Sequence, residues 1–284
     1  MATVTSKDGT KIAYDKTGQG PALIMVAGMF SYRKYAGQVK LAKLLSEHFT
    51  VYNYDRRGRG DSTDTAPYST SKEVDDLKAL INAAGGSAYV WGLSSGAALS
   101  LYAAAQGANI TKLAIQEPPF VVDSGDRKPP LDSVEQLSKL VAANQLGEAV
   151  KYAMVDVMGA PKFVVSLMHI MPGVWQKLTA VANTLPYDVA LVHDYQKGEP
   201  LPADSFKKIN MPTLVMVGPE SPAFFMNTAK SLANILPNAQ LLVKKGLGHT
   251  KKLSTSLIAS ELISYFADSK LSGKPGVTEE RQTA

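Results

Sequence analysis

Along most of this chain, short apolar runs of β type alternate with segments whose apolar positions recur at helical spacing. Residues 12–14 and 23–26 read as strands, paired as an early hairpin that turns through Thr17-Gly18-Gln19-Gly20. Leu41, Leu44 and Leu45 have helical spacing, and residues 50–54 return as a strand. Val74, Leu77, Leu80 and Ile81 mark a second helix that stops at Gly85-Gly86. A strand over 88–91 runs into an Ala-rich helix over 97–105, and residues 112–116 form the next strand. After a long interval come a strand at 213–217, a helix through Leu232 and Leu236, a strand at 240–243 and a helix through Ile258 and Ile263. Alternation of this kind predicts a mostly parallel sheet with helices on both faces.

The interval from Pro118 to about Ile209 breaks the alternation. It opens on Pro118-Pro119, passes a polar loop with Pro129-Pro130, and then shows helical patterns through Leu137, Leu140, Val141 and Val150, Met154, Val157, Met158. This is a helical insertion rather than an independent domain. From Leu271 onward the chain is rich in Gly, Pro and charge, which predicts a frayed tail.

Composition narrows the function classes. The 284 residues are 45% hydrophobic and 19% charged, enough to bury one large core. The net charge of +5 is scattered, with no basic–aromatic interleaving of the kind that binds nucleic acid. There is no cysteine, so disulfides, thiolate metal sites and a Cys nucleophile are excluded. Residues 1–7 hold no apolar signal core, and no run reaches the roughly 18 apolar residues of a membrane span. A cytoplasmic protein without membrane association is the expectation.

Candidate chemistry centres on Gly92-Leu93-Ser94-Ser95-Gly96, set between a strand and a helix as a nucleophile elbow requires. The pentapeptide alone is weak evidence, because three fixed positions recur by chance in roughly one chain in ten of this length. A late Gly248-His249 strengthens it. A serine hydroxyl is a poor nucleophile until a neighbouring base takes its proton, and imidazole suits that role near neutral pH. Ser94 is therefore the candidate nucleophile and His249 the candidate base. His48, His169 and His193 fall in helical or inserted segments, where solvated or packed roles are commoner, and no pair has metal-ligand spacing. No metal or cofactor is expected.

The elbow, the early Ala27-Gly28 after a strand, Asp55-Arg56-Arg57-Gly58-Arg59-Gly60-Asp61-Ser62 and Gly248-His249 together resemble the α/β-hydrolase superfamily over residues 2–267. That resemblance implies an α/β-hydrolase fold with a mostly parallel eight-stranded sheet and a helical cap inserted after the sixth strand. The expected division is a core of 1–117 and 210–268, a cap of 118–209 and a flexible tail of 269–284. More narrowly, Trp91-Gly92-Leu93-Ser94-Ser95-Gly96-Ala97 followed by Glu117-Pro118-Pro119 resembles the fungal zearalenone lactonases. In most of the superfamily the triad acid is an Asp three residues after a Gly that follows the seventh strand. Here Gly218-Pro219-Glu220-Ser221 puts Ser221 at that place, and serine carries no charge to stabilise imidazolium. The lactonase likeness assigns the acid to Glu117, with Glu220 as the alternative. An oxyanion hole needs backbone N–H donors, which Ser95, first in the helix after the elbow, and Met29, in the loop after Val26, are expected to supply, with Gly28 beside Met29. Ala27 stands where many relatives carry His, a change that leaves the backbone donor in place.

Met154, Met158, Met168, Met171, Trp175 and Tyr187 lie in the insertion. Such a set is more often core packing than a ligand surface. The sharper expectation is that Trp175, Met154 and Met158 border a substrate pocket over Ser94. The Arg56–Gly60 loop reads as structural, lying beneath the elbow. The leading function is a cofactor-independent serine hydrolase acting on a small-molecule carboxylic ester or lactone through an acyl-enzyme. Carbon–carbon hydrolysis or lyase chemistry on the same triad, and a slow-turnover ligand receptor, are the alternatives. Ser rather than Asp at the elbow argues against dehalogenase and epoxide-hydrolase chemistry.

Overall fold

The computed structural model describes residues 1–248 and 253–268 and the backbone of 277–279. Its strands are β1 (Ala2–Thr5), β2 (Lys11–Thr17), β3 (Ala22–Val26), β4 (Thr50–Tyr54), β5 (Ala88–Leu93), β6 (Ile110–Gln116), β7 (Thr213–Val217), β8 (Ala239–Val243) and β9 (Val277–Glu279). They form one sheet in the order β1-β2-β4-β3-β5-β6-β7-β8-β9, antiparallel at β1–β2 and β2–β4 and parallel elsewhere. The core helices are α1 (Ala36–Leu45), α2 (Thr70–Ala83) and α3 (Ser95–Ala105), and, after the cap, α10 (Ala223–Ile235) and α11 (Thr255–Ala267). Between β6 and β7 lie α4 (Ser133–Ala142), α5 (Leu146–Tyr152), a π-helical turn over Ala153–Val157, α6 (Lys162–Ile170), α7 (Val174–Thr179), α8 (Leu185–Ala190) and α9 (Ala203–Phe206). No helix among the described residues is long and apolar enough to cross a membrane.

Period-2 patterning explains the layers. Ile24 and Val26 of β3 join Val90 of β5 and Ile115 of β6 in a core shared with α2, α3 and α10. Leu23 and Met25 of β3 point the other way, with Trp91 and Ala114, into a core shared with α1 and α11. A third cluster lies within the cap and gathers Leu137, Val150, Ala153, Leu185 and Val189.

One expectation is corrected. β2 and β3 are not a hairpin, because β4 lies between them and pairs with both. The Gly18–Gly20 turn passes so close to the backbone of residues 46–49 that a Cβ on Gly18 would run into Ser46 O and Phe49 O, so the chain crosses the start of β4 rather than folding back on itself. β2's hairpin partner is β1, paired from Ala2↔Tyr14 to Thr5↔Lys11. Beyond the eight strands expected, Val277–Glu279, inside the 269–284 tail, adds a short ninth beside β8. The rest of that tail, 269–276 and 280–284, lies outside the described residues.

Candidate active site

β5 leaves the sheet through Ser94, whose φ of 56° and ψ of −126° are seldom occupied by a residue with a side chain. Close packing enforces the turn. A Cβ on Gly92 would lie 2.5 Å from Gly96 O and from Ser100 Oγ, and one on Gly96 would run into Val26 O. Phe30 (φ 60°) after β3 and Glu117 (φ 48°) after β6 also have positive φ. Of the four such non-glycine residues described, three thus sit at the carboxyl ends of the adjacent strands β3, β5 and β6. Backbone strain of about 1–3 kcal/mol per residue, gathered at one sheet edge, is typical of a working site.

The loop after β3 presses on Ser94: a Cβ on Gly28 would stand 3.0 Å from Ser94 Cβ and 2.9 Å from Leu93 O. Met29, Ser94 and Ser95 line one cavity of about 240 Å³. Val121, Val157, Met158, Val189, Val192 and Phe225 make much of its apolar wall. The N–H groups of Met29 and Ser95 donate to no acceptor among the described residues.

The two candidate acids occupy different places. Glu117 is fully buried, its N–H bonds Met216 O, and its Oε1 accepts from Gly218 N–H at 3.0 Å. Glu220 is half-buried, and its Oε1 accepts from Gly246 N–H at 2.7 Å and Gly248 N–H at 3.3 Å. The same loop is gripped from below, where buried Gln116 donates Nε2–H to Leu247 O at 2.5 Å and accepts from Trp91 Nε1 at 3.3 Å. Glu220 and Gln116 therefore hold the three residues that lead into His249. His249 itself lies outside the described residues.

A family model described as the alpha/beta hydrolase family matches residues 23–254. A solved alpha/beta hydrolase from Sphaerobacter thermophilus DSM 20745 is 45% identical, with a TM-score of 0.85, over 93% of this chain and 100% of that one. The chain belongs to the α/β-hydrolase family. An esterase from Exiguobacterium antarcticum shares the fold at 18% identity, TM-score 0.69, over 94% and 99% of the two chains. A meta-cleavage product hydrolase, CumD, does so at 18% identity, TM-score 0.63, over 94% and 97%.

The Asp55–Asp61 loop of this α/β hydrolase is more than a charged turn. Arg56, Arg57 and Arg59 are all buried, and two of them engage the cap. Arg56 grips Glu73 with Nε and Nη2 (2.9 and 2.7 Å) and donates Nη1–H to Asp188 Oδ1 at 2.6 Å. Arg59 pairs with Asp188 Oδ2 and reaches Thr184 Oγ1 at 2.9 Å. Ser95 Oγ donates to Asp188 Oδ1 at 2.6 Å. Burial pushes the Asp188 carboxyl up, but Arg59 and Arg56 outweigh it and hold the group below its ordinary range. Sequence reasoning missed Asp188. Its signal in the sequence is slight: it is the only acid between Asp156 and Asp194, with no Lys or Arg within four positions of it.

Of the three expected cap residues, only Met158 lines the cavity. Trp175 and Met154 pack against the cap's own cluster, with the Trp175 ring stacked 4.4 Å from His169. The cap folds around a core of its own, which uses these side chains up. Trp175→Ala is expected to lower stability by about 2 kcal/mol, less than a fully buried aromatic loses. Relative rates across a panel of esters should be unchanged; thermal melts alongside rate ratios check both.

Proposed function

We propose that this protein hydrolyses a carboxylic ester or lactone through Ser94, His249 and Glu117. The observation that carries the reading is Ser94 held at φ 56° over an apolar cavity, beside two N–H groups with no described acceptor. Ser94 Oγ attacks the carbonyl carbon while His249 takes its proton. The carbonyl oxygen becomes an alkoxide, which accepts hydrogen bonds from Met29 and Ser95 N–H. Collapse breaks the C–O bond, and the alcohol oxygen leaves with the proton from His249. Water, deprotonated by His249, then frees the acid from the acyl-enzyme and returns Ser94 to its hydroxyl form.

The mostly apolar wall favours an acyl group without charge. The motif likeness of Trp91–Ala97 and Glu117-Pro118-Pro119 to the zearalenone lactonases is what supports a lactone, in which the alcohol stays tethered to the acyl chain. The test is a screen of aryl esters, aliphatic lactones and zearalenone with purified protein in ¹⁸O-water. Hydrolysis by acyl cleavage places one heavy oxygen in the carboxylate product. Label in the alcohol, or no turnover of any ester or lactone, would refute the proposal.

A further inference from the structure

The buried ion cluster beneath the elbow touches the backbone that carries both N–H donors. The Gly28–Met29 peptide is trans, so its carbonyl and its N–H point in opposite directions. Arg59 Nη1 donates to Gly28 O at 2.8 Å and to Ser31 O at 3.1 Å, drawing the carbonyl toward the cluster. Met29 N–H must then point away from the cluster, and Met29 lines the cavity with Ser94. On the other side of Ser94, the first residue of α3 has its hydroxyl fixed by Asp188 Oδ1. One carboxylate from cap helix α8 thus fixes Arg59, Arg56 and Ser95 together. Four ions, Arg56, Arg59, Glu73 and Asp188, balance in charge, so no counter-ion or water-bound charge is needed there.

We propose that Arg59 and Asp188 are positioning residues that aim the Met29 and Ser95 N–H groups at the developing oxyanion, making the cap part of the oxyanion hole's support. This rests on the serine-hydrolase reading above. Arg59 does not line the cavity, and Asp188, which reaches its wall, commits its oxygens to Arg56, Arg59 and Ser95, so their loss should act on kcat rather than on KM. A lysine at 59 keeps the charge for Asp188 but has no fork with which to hold Gly28 O, Ser31 O and Thr184 Oγ1 at once.

The test compares Arg59→Lys, Asp188→Asn and Arg57→Lys with the wild type on a p-nitrophenyl ester, each protein's melting temperature being recorded. Losing one well-aimed oxyanion donor costs about 10²- to 10³-fold, so a misaimed one should cost about 10- to 100-fold in kcat. That loss is expected for Arg59→Lys and Asp188→Asn, with KM within about threefold. Arg57→Lys weakens the separate buried pairing of Arg57 with Asp76 and Asp8, which touches neither Gly28 nor Ser95, and should lower the melting temperature while kcat stays within about twofold. A folded Arg59→Lys protein with wild-type kcat, or one in which only KM rises, would overturn the proposal. Should both charge variants fail to fold, Ser95→Ala decides, since it leaves every ion paired: a several-fold loss in kcat supports the proposal and wild-type kcat refutes it. Failure of the underlying reading looks different, because the wild type itself would then neither turn over the ester nor react with a fluorophosphonate at Ser94.

Discussion

Ser94→Ala is expected to lower ester turnover by about 10⁴- to 10⁶-fold, the scale on which removal of a serine nucleophile acts in other hydrolases. Fluorophosphonate labelling should vanish with it. The fold should be nearly unaffected. Alanine and serine bear the same φ strain at this position, and the packing that fixes the elbow comes from Gly92 and Gly96 rather than from the hydroxyl. A melting temperature within a few degrees of wild type, together with lost labelling, is the expected pair of results. Labelling that persists at another serine would displace Ser94 from its role. A wild type that is labelled yet turns over nothing would move the protein to the slow-turnover receptor class.

The strand–helix alternation was legible because each strand here is short, apolar and flanked by turn residues. Strand partners were not, because a run such as Ile12-Ala13-Tyr14 states that it is buried without stating beside what. The closeness of Gly18 to the backbone of residues 46–49, which routes the chain past β4, exists only in the folded chain. The elbow was legible for a related reason: its constraints are local, confined to five residues and the two elements beside them. Asp188 was not, since its partners Arg56 and Arg59 lie 132 and 129 positions away. Trp175 marks a further limit. A helical face rich in Met and aromatics looks the same in sequence whether it meets a ligand or, as here, another helix of the cap. Glu117 was reached through family resemblance, and its positive φ gives that position a physical character the sequence did not reveal.

The two acids should separate cleanly by substitution. Glu117→Gln keeps an oxygen for Gly218 N–H, so the ends of β6 and β7 stay joined, but it removes the charge that would orient and stabilise His249. Turnover should fall by about 10³- to 10⁴-fold, as when a triad carboxylate is made an amide. Glu220→Gln likewise keeps an acceptor for Gly246 and Gly248 N–H and should cost only a few-fold. Glu220→Ala removes that acceptor. The loop before His249 then loses two of its hydrogen bonds, retaining the Gln116–Leu247 bond, and a shift of about 1 Å at the base can cost about 10²-fold. A positioning role thus predicts that alanine is far worse than glutamine at 220, while a charge role predicts that the two are equally bad. At 117 glutamine itself should be crippling. Were Glu220→Gln instead to fall by three orders of magnitude while Glu117→Gln lost little, the acid would be Glu220, and Glu117 would serve only to tie β6 to β7. Kinetics on the three purified variants, with melting temperatures to exclude unfolding, distinguish these cases.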